Sequence, residues 1–216
     1  MQDLEIITID EKSSVELIEK KSKFIADLCP ISSKSDAEKM IESIKNKYKD
    51  AKHHCFAFCV YEDNQKYTKC SDDGEPSGTA GVPILNVIEK NGLYNALIVV
   101  TRYFGGILLG TGGLTRAYSG AATSAIKNAV IIHKECGLEV EVRMDYTESE
   151  RFKFFCSQNK ININNIDYNE KVVFIIELSE SQFEKFFENE KSNDELNQFN
   201  IESFVVICRK YVKKIE

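Results

Sequence analysis

No stretch of this 216-residue chain approaches the ~18 consecutive apolar residues that a membrane-spanning helix needs. The N-terminus, MQDLEIITIDEKSS, is acidic and polar where a secretory leader is basic and then apolar, so the chain reads as cytoplasmic with no membrane partner. Histidine is scarce. His53, His54 and His133 are the three present, and no Gly-x-Ser-x-Gly elbow accompanies them, so nucleophilic hydrolysis cannot be argued from these residues. Proline and glycine are both missing from the last 79 residues: the final proline is Pro83, and all eleven glycines fall between Gly74 and Gly137. A region dense in tight turns is therefore followed by one of regular elements with Asn-rich connections. The seven cysteines are odd in number and scattered from Cys29 to Cys208 beside apolar residues, which argues for reduced core thiols rather than a disulfide framework.

Charge divides the chain at nearly the same place. The net charge is −6, yet residues 1–134 carry 17 basic and 17 acidic side chains while 135–216 carry 11 and 17. Bulk attraction to nucleic acid is excluded, and DNA is not an expected partner. A phosphate-binding patch must be local and belongs to the neutral first part, whereas the acidic second part suits a protein partner. With 43% hydrophobic residues, either part can build a core, so two domains are expected, 1–134 and 135–216.

In the first part, residues 23–28 read as a strand closed by Pro30. Ser35 to Glu38 has capping-box spacing, and Ala37, Met40, Ile41, Ile44 and Tyr48 recur at helical intervals behind it. Lysines 45, 47, 49 and 52 near that helix's end could form a phosphate-binding patch, but complementing the helix dipole is the plainer reading. Residues 54–61 and 96–102 read as strands, the second apolar enough to be buried on both faces. A short helix over 82–90 stops at Asn91-Gly92, and a longer one spans about 113–128 with a close-packing stripe of Ala117, Gly120, Ala121, Ser124 and Ala125. In the second part, strands near 138–144, 161–167, 171–178 and 201–208 alternate with two helices. Each helix is announced by a capping box, Thr147 to Glu150 and Ser179 to Gln182, and then by phenylalanines at matching spacing. The order βαββαβ predicts a ferredoxin-like domain, and the chain as a whole is α+β.

Two segments carry chemistry. Ser71-Asp72-Asp73-Gly74-Glu75-Pro76-Ser77-Gly78-Thr79-Ala80-Gly81 gathers three carboxylates and three glycines ahead of a helix. Clustered carboxylates can hold Mg²⁺, but the alternating ligands of a calcium loop are missing, so the acids are expected to cap backbone amides or pair with an arginine. The second runs Thr101-Arg102-Tyr103-Phe104-Gly105-Gly106 and then Leu109-Gly110-Thr111-Gly112-Gly113-Leu114-Thr115-Arg116. A glycine-rich entry to a helix offers unpaired amides and partial positive charge, so an anion site is expected from Gly105, Gly106, Gly110, Thr111, Gly112 and Gly113 with Arg102 and Arg116. Against it stands the plainer reading that the glycines only permit turns, and that either arginine pairs with Asp72, Asp73 or Glu75. Neither a dinucleotide fingerprint nor a P-loop is present. His53, His54, Cys55, Cys59 and Cys70 match no zinc spacing, so neither metal nor cofactor is expected.

These segments resemble the YigZ/IMPACT family. Lys21-Ser22-Lys23-Phe24, then His53-His54-Cys55-Phe56-Ala57, then the 71–81 loop (Ser71, Asp72, Asp73, Gly74, Glu75, Pro76, Gly78, Thr79, with His54 beside it), then 101–106 through Arg116-Ala117-Tyr118-Ser119-Gly120, are similar to its characteristic domain over roughly the first 130 residues. The remainder is similar to the smaller C-terminal domain of bacterial members. The resemblance implies a first domain folded like domain four of elongation factor G and a ferredoxin-like second like its domain five, hence a ribosome- or RNA-associated role in regulating translation. Eukaryotic relatives restrain a translation-initiation kinase through a different accessory domain; none is expected in these residues, so that pathway is not carried over. No catalytic residues carry over from the family, so binding is expected rather than catalysis. Two alternatives remain open: a nucleotide- or phosphate-dependent enzyme using residues 110–113, and a protein adaptor.

Overall fold

The computed structural model describes residues 5–62, 65–188 and 198–214, and the chain divides into two units, Ile7–Ile132 and a second made of Met1–Ile6 with His133–Glu216. The sequence reading assigned the first six residues to the first part. No helix among the described residues is long and apolar enough to cross a membrane.

In the first unit, β2 (Ser13–Glu19), β3 (Ser22–Pro30), β4 (His53–Glu62), β5 (Gln65–Ser71) and β6 (Ala96–Tyr103) form one antiparallel sheet in the order β2-β3-β6-β4-β5. The strand β1 (Ile6–Ile9) lies outside this sheet and is counted with the sheet of β7 (Ile131–Met144), crossing the unit boundary after Ile6; the Ile7 carbonyl accepts from the Tyr94 amide at 2.8 Å. Both sheet faces are covered, which is why β3, β4 and β6 are almost continuously apolar. On one face α1 (Lys34–Lys47) buries Ala37, Ile41 and Ile44 against Phe56, Phe58, Leu97 and Val99. On the other, α2 (Gly81–Lys90) and α3 (Gly110–Lys127) lie over Phe24, Ala26, Ala57, Ile98 and Val100. Each large side chain taken fully from water contributes about 1.5–3 kcal/mol. The stripe of small residues on α3 lets it approach closely: Ala117, Ala121 and Ala125 are buried, and Gly120 sits against Leu17.

Several local expectations shift. The cap of α1 is Ser33, whose hydroxyl accepts from the Asp36 amide at 3.0 Å, while Asp36 accepts from the Ser32 amide at 2.9 Å; the box proposed at Ser35 is displaced by two residues. Helix α3 starts at Gly110, so Gly110, Gly112 and Gly113 lie in its first turn and not in a preceding loop.

The second unit holds β7 (Ile131–Met144), α4 (Tyr146–Gln158), β8 (Asn162–Tyr168), β9 (Val172–Ser179), α5 (Glu180–Phe183) and β10 (Ile201–Lys213). From β10 the strands run β10-β7-β9-β8, all neighbours antiparallel. The helices cover a face lined by Val140, Val142, Phe174 and Ile176, where Phe152, Phe155, Phe186 and Phe199 join edge to face. The box at Ser179 forms with both of its hydrogen bonds, whereas α4 starts after Asp145 and the Thr147 box does not form. Past α5 the chain widens into a π-helical turn, Glu184–Glu188, which keeps Phe186 in the core. Strand β7 runs unbroken through 135–137. A Cβ at Gly137 would overlap the Leu178 carbonyl, so this glycine serves close strand contact and not a hinge.

Candidate functional site

The loop between β5 and α2 is built around Asp72. One carboxylate oxygen accepts from the Gly78 amide at 2.8 Å, and the other accepts from Ala80 at 2.9 Å and Gly81 at 2.8 Å. Ala80 has no side chain to cap α2, so Asp72 does this from eight residues upstream. Burial pushes the Asp72 carboxyl up, but the three amides outweigh it and hold the group below the usual carboxylate range. Asp73 works at the start of β4: it accepts from the His54 amide at 2.7 Å and lies 3.5 Å from the Lys45 ammonium. The His53 ring meets the Asp73 carbonyl at 2.9 Å and the His54 ring meets the Tyr48 carbonyl at 3.0 Å. The Thr79 hydroxyl donates to Pro76, the Asp73 amide donates to Ser71, and Gly74 and Gly78 take positive φ. Among the described residues, no group of three or more His, Cys, Asp or Glu is placed to hold a metal ion.

Glu75 reaches from this loop into the core. Its carboxylate takes the Arg102 guanidinium at 2.6 Å and the Tyr118 hydroxyl at 2.8 Å, with the Glu75 and Arg102 side chains only 4% and 7% exposed. Arg102 also stands 5.5 Å from the Phe24 ring and 5.6 Å from the Phe104 ring. Thus the structure separates the two arginines that the sequence grouped. Arg102 is neutralised inside the fold and contributes no charge to an anion at the surface, because its partner is Glu75, 27 residues away in the chain. Arg116 is exposed on α3, with its guanidinium near Gly112, and makes no ion pair among the described residues.

One end of the first unit collects the remaining candidates. The chain leaving β6 exposes Phe104, Ile107 and Leu108, then enters α3 at Gly110, with Thr111 and Gly112 exposed and no side chain capping the first-turn amides. Gly105 is packed so tightly on the β2–β3 turn that a Cβ would overlap the Lys21 carbonyl, and its amide donates to the Ser22 hydroxyl at 3.2 Å. Gly106 and Gly110 are open, with positive φ. The turn itself, Lys20 and Lys21, is exposed next to Gly105 and was not among the residues singled out from the sequence; the tight spacing between two strands was the available signal. Chemically, this end offers cations, free amides and an aromatic ring. The thiol and phenol behind it offer little reactivity: burial pushes Cys55 up to about 12 and pushes Tyr118 far above an ordinary phenol, so both stay protonated at neutral pH.

A two-unit protein of mixed α and β structure with antiparallel sheets, the first pinned by an internal Glu–Arg–Tyr cluster, is thus defined. The Impact N-terminal domain family matches residues 20–126, and a domain of unknown function, DUF1949, matches residues 142–188. IMPACT family member YvyE of Bacillus subtilis is 35% identical over 181 residues, 84% of this chain and 83% of the relative. IMPACT family member YigZ of Escherichia coli is 34% identical over 77% of this chain and 82% of its own length. A crystal structure of a hypothetical protein superposes with a TM-score of 0.63 at 30% identity, covering 96% of this chain and 99% of the other. The chain belongs to the IMPACT family.

Proposed function

We propose that this protein is a ribosome- or RNA-associated binding protein that regulates translation, acting through the outer end of its first unit. The observation that carries the reading is a sorting of charge within the motif segments. Asp72, Asp73 and Glu75 are bonded inside the fold, while Arg116 and the exposed amides of the first turn of α3 remain available to an anion. Gly105 and Gly106 shape the approach, Gly110 to Gly113 supply the amides, and Arg102 supports the site from beneath. A first unit folded like domain four of elongation factor G, which the family resemblance implies, is in keeping with a translational setting for such an end. The strand order β10-β7-β9-β8 in a βαββαβ chain supports a ferredoxin-like second unit, with its acidic surface as a site for a protein partner.

The test is sedimentation of the full chain with ribosomal particles at low salt. Comigration that falls off as salt rises, with Arg116→Ala lowering the salt slope by about one, supports the reading. Protein remaining at the top of the gradient at low salt contradicts it, and comigration unaffected by nuclease and salt points to a protein contact instead.

A further inference from the structure

We infer that the Lys20-Lys21 turn and the Phe104 loop together form a docking surface for single-stranded RNA, with an unstacked base lying on Phe104 and the flanking phosphates on Lys20, Lys21 and Arg116. The inference rests on the RNA reading above and narrows it to strand type.

The turn joins β2 to β3 with two residues, since Glu19 pairs with Ser22 across it. Both central residues are left-handed, Lys20 at φ 44 and Lys21 at φ 67. Asn and Gly adopt this geometry with less strain, so the two lysines hold their charges at the tip of the turn at a conformational cost. Lys23, one residue into the strand, is paired with Glu16, whereas Lys20 and Lys21 have no carboxylate partner among the described residues.

The aromatic ring is held beside this charge. The Gly105 backbone is seated on the Lys21–Ser22 peptide, which fixes the Phe104 loop to the turn. Phe104 is 56% exposed, and the Arg102 guanidinium that backs it is anchored by Glu75. Arg116 belongs to the same end: the Ser13 hydroxyl donates to the Ala125 carbonyl and Leu17 abuts Gly120, so β2 and α3 run in opposite directions and the turn lies toward the start of α3. A supported ring flanked by cations suits a base with a free π-face, which a strand offers and a duplex hides. Ile107 and Leu108, exposed in the same loop, offer apolar contact without hydrogen bonds, so little sequence preference is expected.

Fluorescence anisotropy on the full chain tests this with a labelled mixed-sequence single strand of about twelve nucleotides, a duplex of equal length, and an acidic peptide of equal charge. The single strand should bind about tenfold or more tighter than either competitor. Phe104→Ala should weaken it about tenfold at unchanged melting temperature, Phe104→Trp should retain it, and Lys20→Ala and Lys21→Ala should each lower the salt slope by about one. An unaffected Phe104→Ala, or duplex or peptide binding equal to the single strand, overturns the inference. A chain that comigrates with ribosomal particles yet binds no free single strand overturns it while leaving the broader reading intact; failure of both defeats both.

Discussion

Each unit places an acid–base cluster on its sheet, and the two differ in how far water reaches them. In the first, Glu75 and Arg102 meet at 2.6 Å with almost no exposure. In the second, Lys210 sits between Glu139 at 2.8 Å and Glu177 at 2.5 Å, with side-chain exposures of 20–31%. The same pairing therefore has different consequences. Removing one partner from the buried pair strands a charge that water cannot reach, while the open cluster is screened and resolvated. Glu75 and Arg102 thus act as scaffold, and the proposed binding chemistry falls to the exposed residues around them.

The largest expected effect tests the buried side of this contrast. Arg102→Ala should destabilise the first unit by about 3–5 kcal/mol and lower its melting temperature by roughly 10–20 °C, because Glu75 is left unpaired. Pairing it with Glu75→Gln should recover much of the loss, and a loss below about 1 kcal/mol in thermal melts would show the pair to be open to water. Next comes Asp72→Ala, expected to cost about 1–3 kcal/mol through three orphaned amides, Gly78 in the loop and Ala80 and Gly81 at the start of α2. Since the folded Asp72 carboxyl is held below its usual value, its contribution is present above the ordinary carboxylate range and is lost as pH falls through the lowered folded value. Acid unfolding of Asp72→Asn beside wild type reads this directly, the variant lacking that part of the acid dependence.

The smallest effect falls in the second unit. Lys210→Ala should cost about 1 kcal/mol or less, and the difference from wild type should shrink at high salt. Burial lowers the Lys210 ammonium, but Glu139 and Glu177 outweigh it and raise the group above the usual lysine value. Its contribution is therefore full below that usual value and is lost as pH rises through the raised one. Denaturant titrations at two salt concentrations measure it, and a salt-independent cost as large as that of Arg102→Ala would erase the contrast.

Much of this was legible in the sequence because it is local or periodic. The apolar spacing of α1, the double-sided burial of β6, the small face of α3 and the Ser179 box all depend on residues within a turn or two of each other. Strand β2 was missed because it is an edge strand in which only Val15 and Leu17 pack on the core, and its turn carries Lys20-Lys21 where Asn-Gly would have announced a hairpin. Adjacent acceptors blurred the helix starts: Ser32, Ser33 and Ser35 compete at α1, and Asp145 and Thr147 at α4. The candidate site was half legible. Glycines at a helix entry are a sequence pattern, but whether Arg102 or Arg116 is free depends on Glu75 folding back across the sheet, a contact that no spacing rule encodes.

The most direct test asks which unit carries the binding. Two full-length double variants, each removing two positive charges, are sedimented with ribosomal particles at low salt: Lys20→Ala with Lys21→Ala in the first unit, and Lys153→Ala with Arg209→Ala in the second. The account predicts that the first pair abolishes or strongly weakens comigration at unchanged stability while the second leaves it intact; comigration retained by the first pair and lost by the second would contradict it.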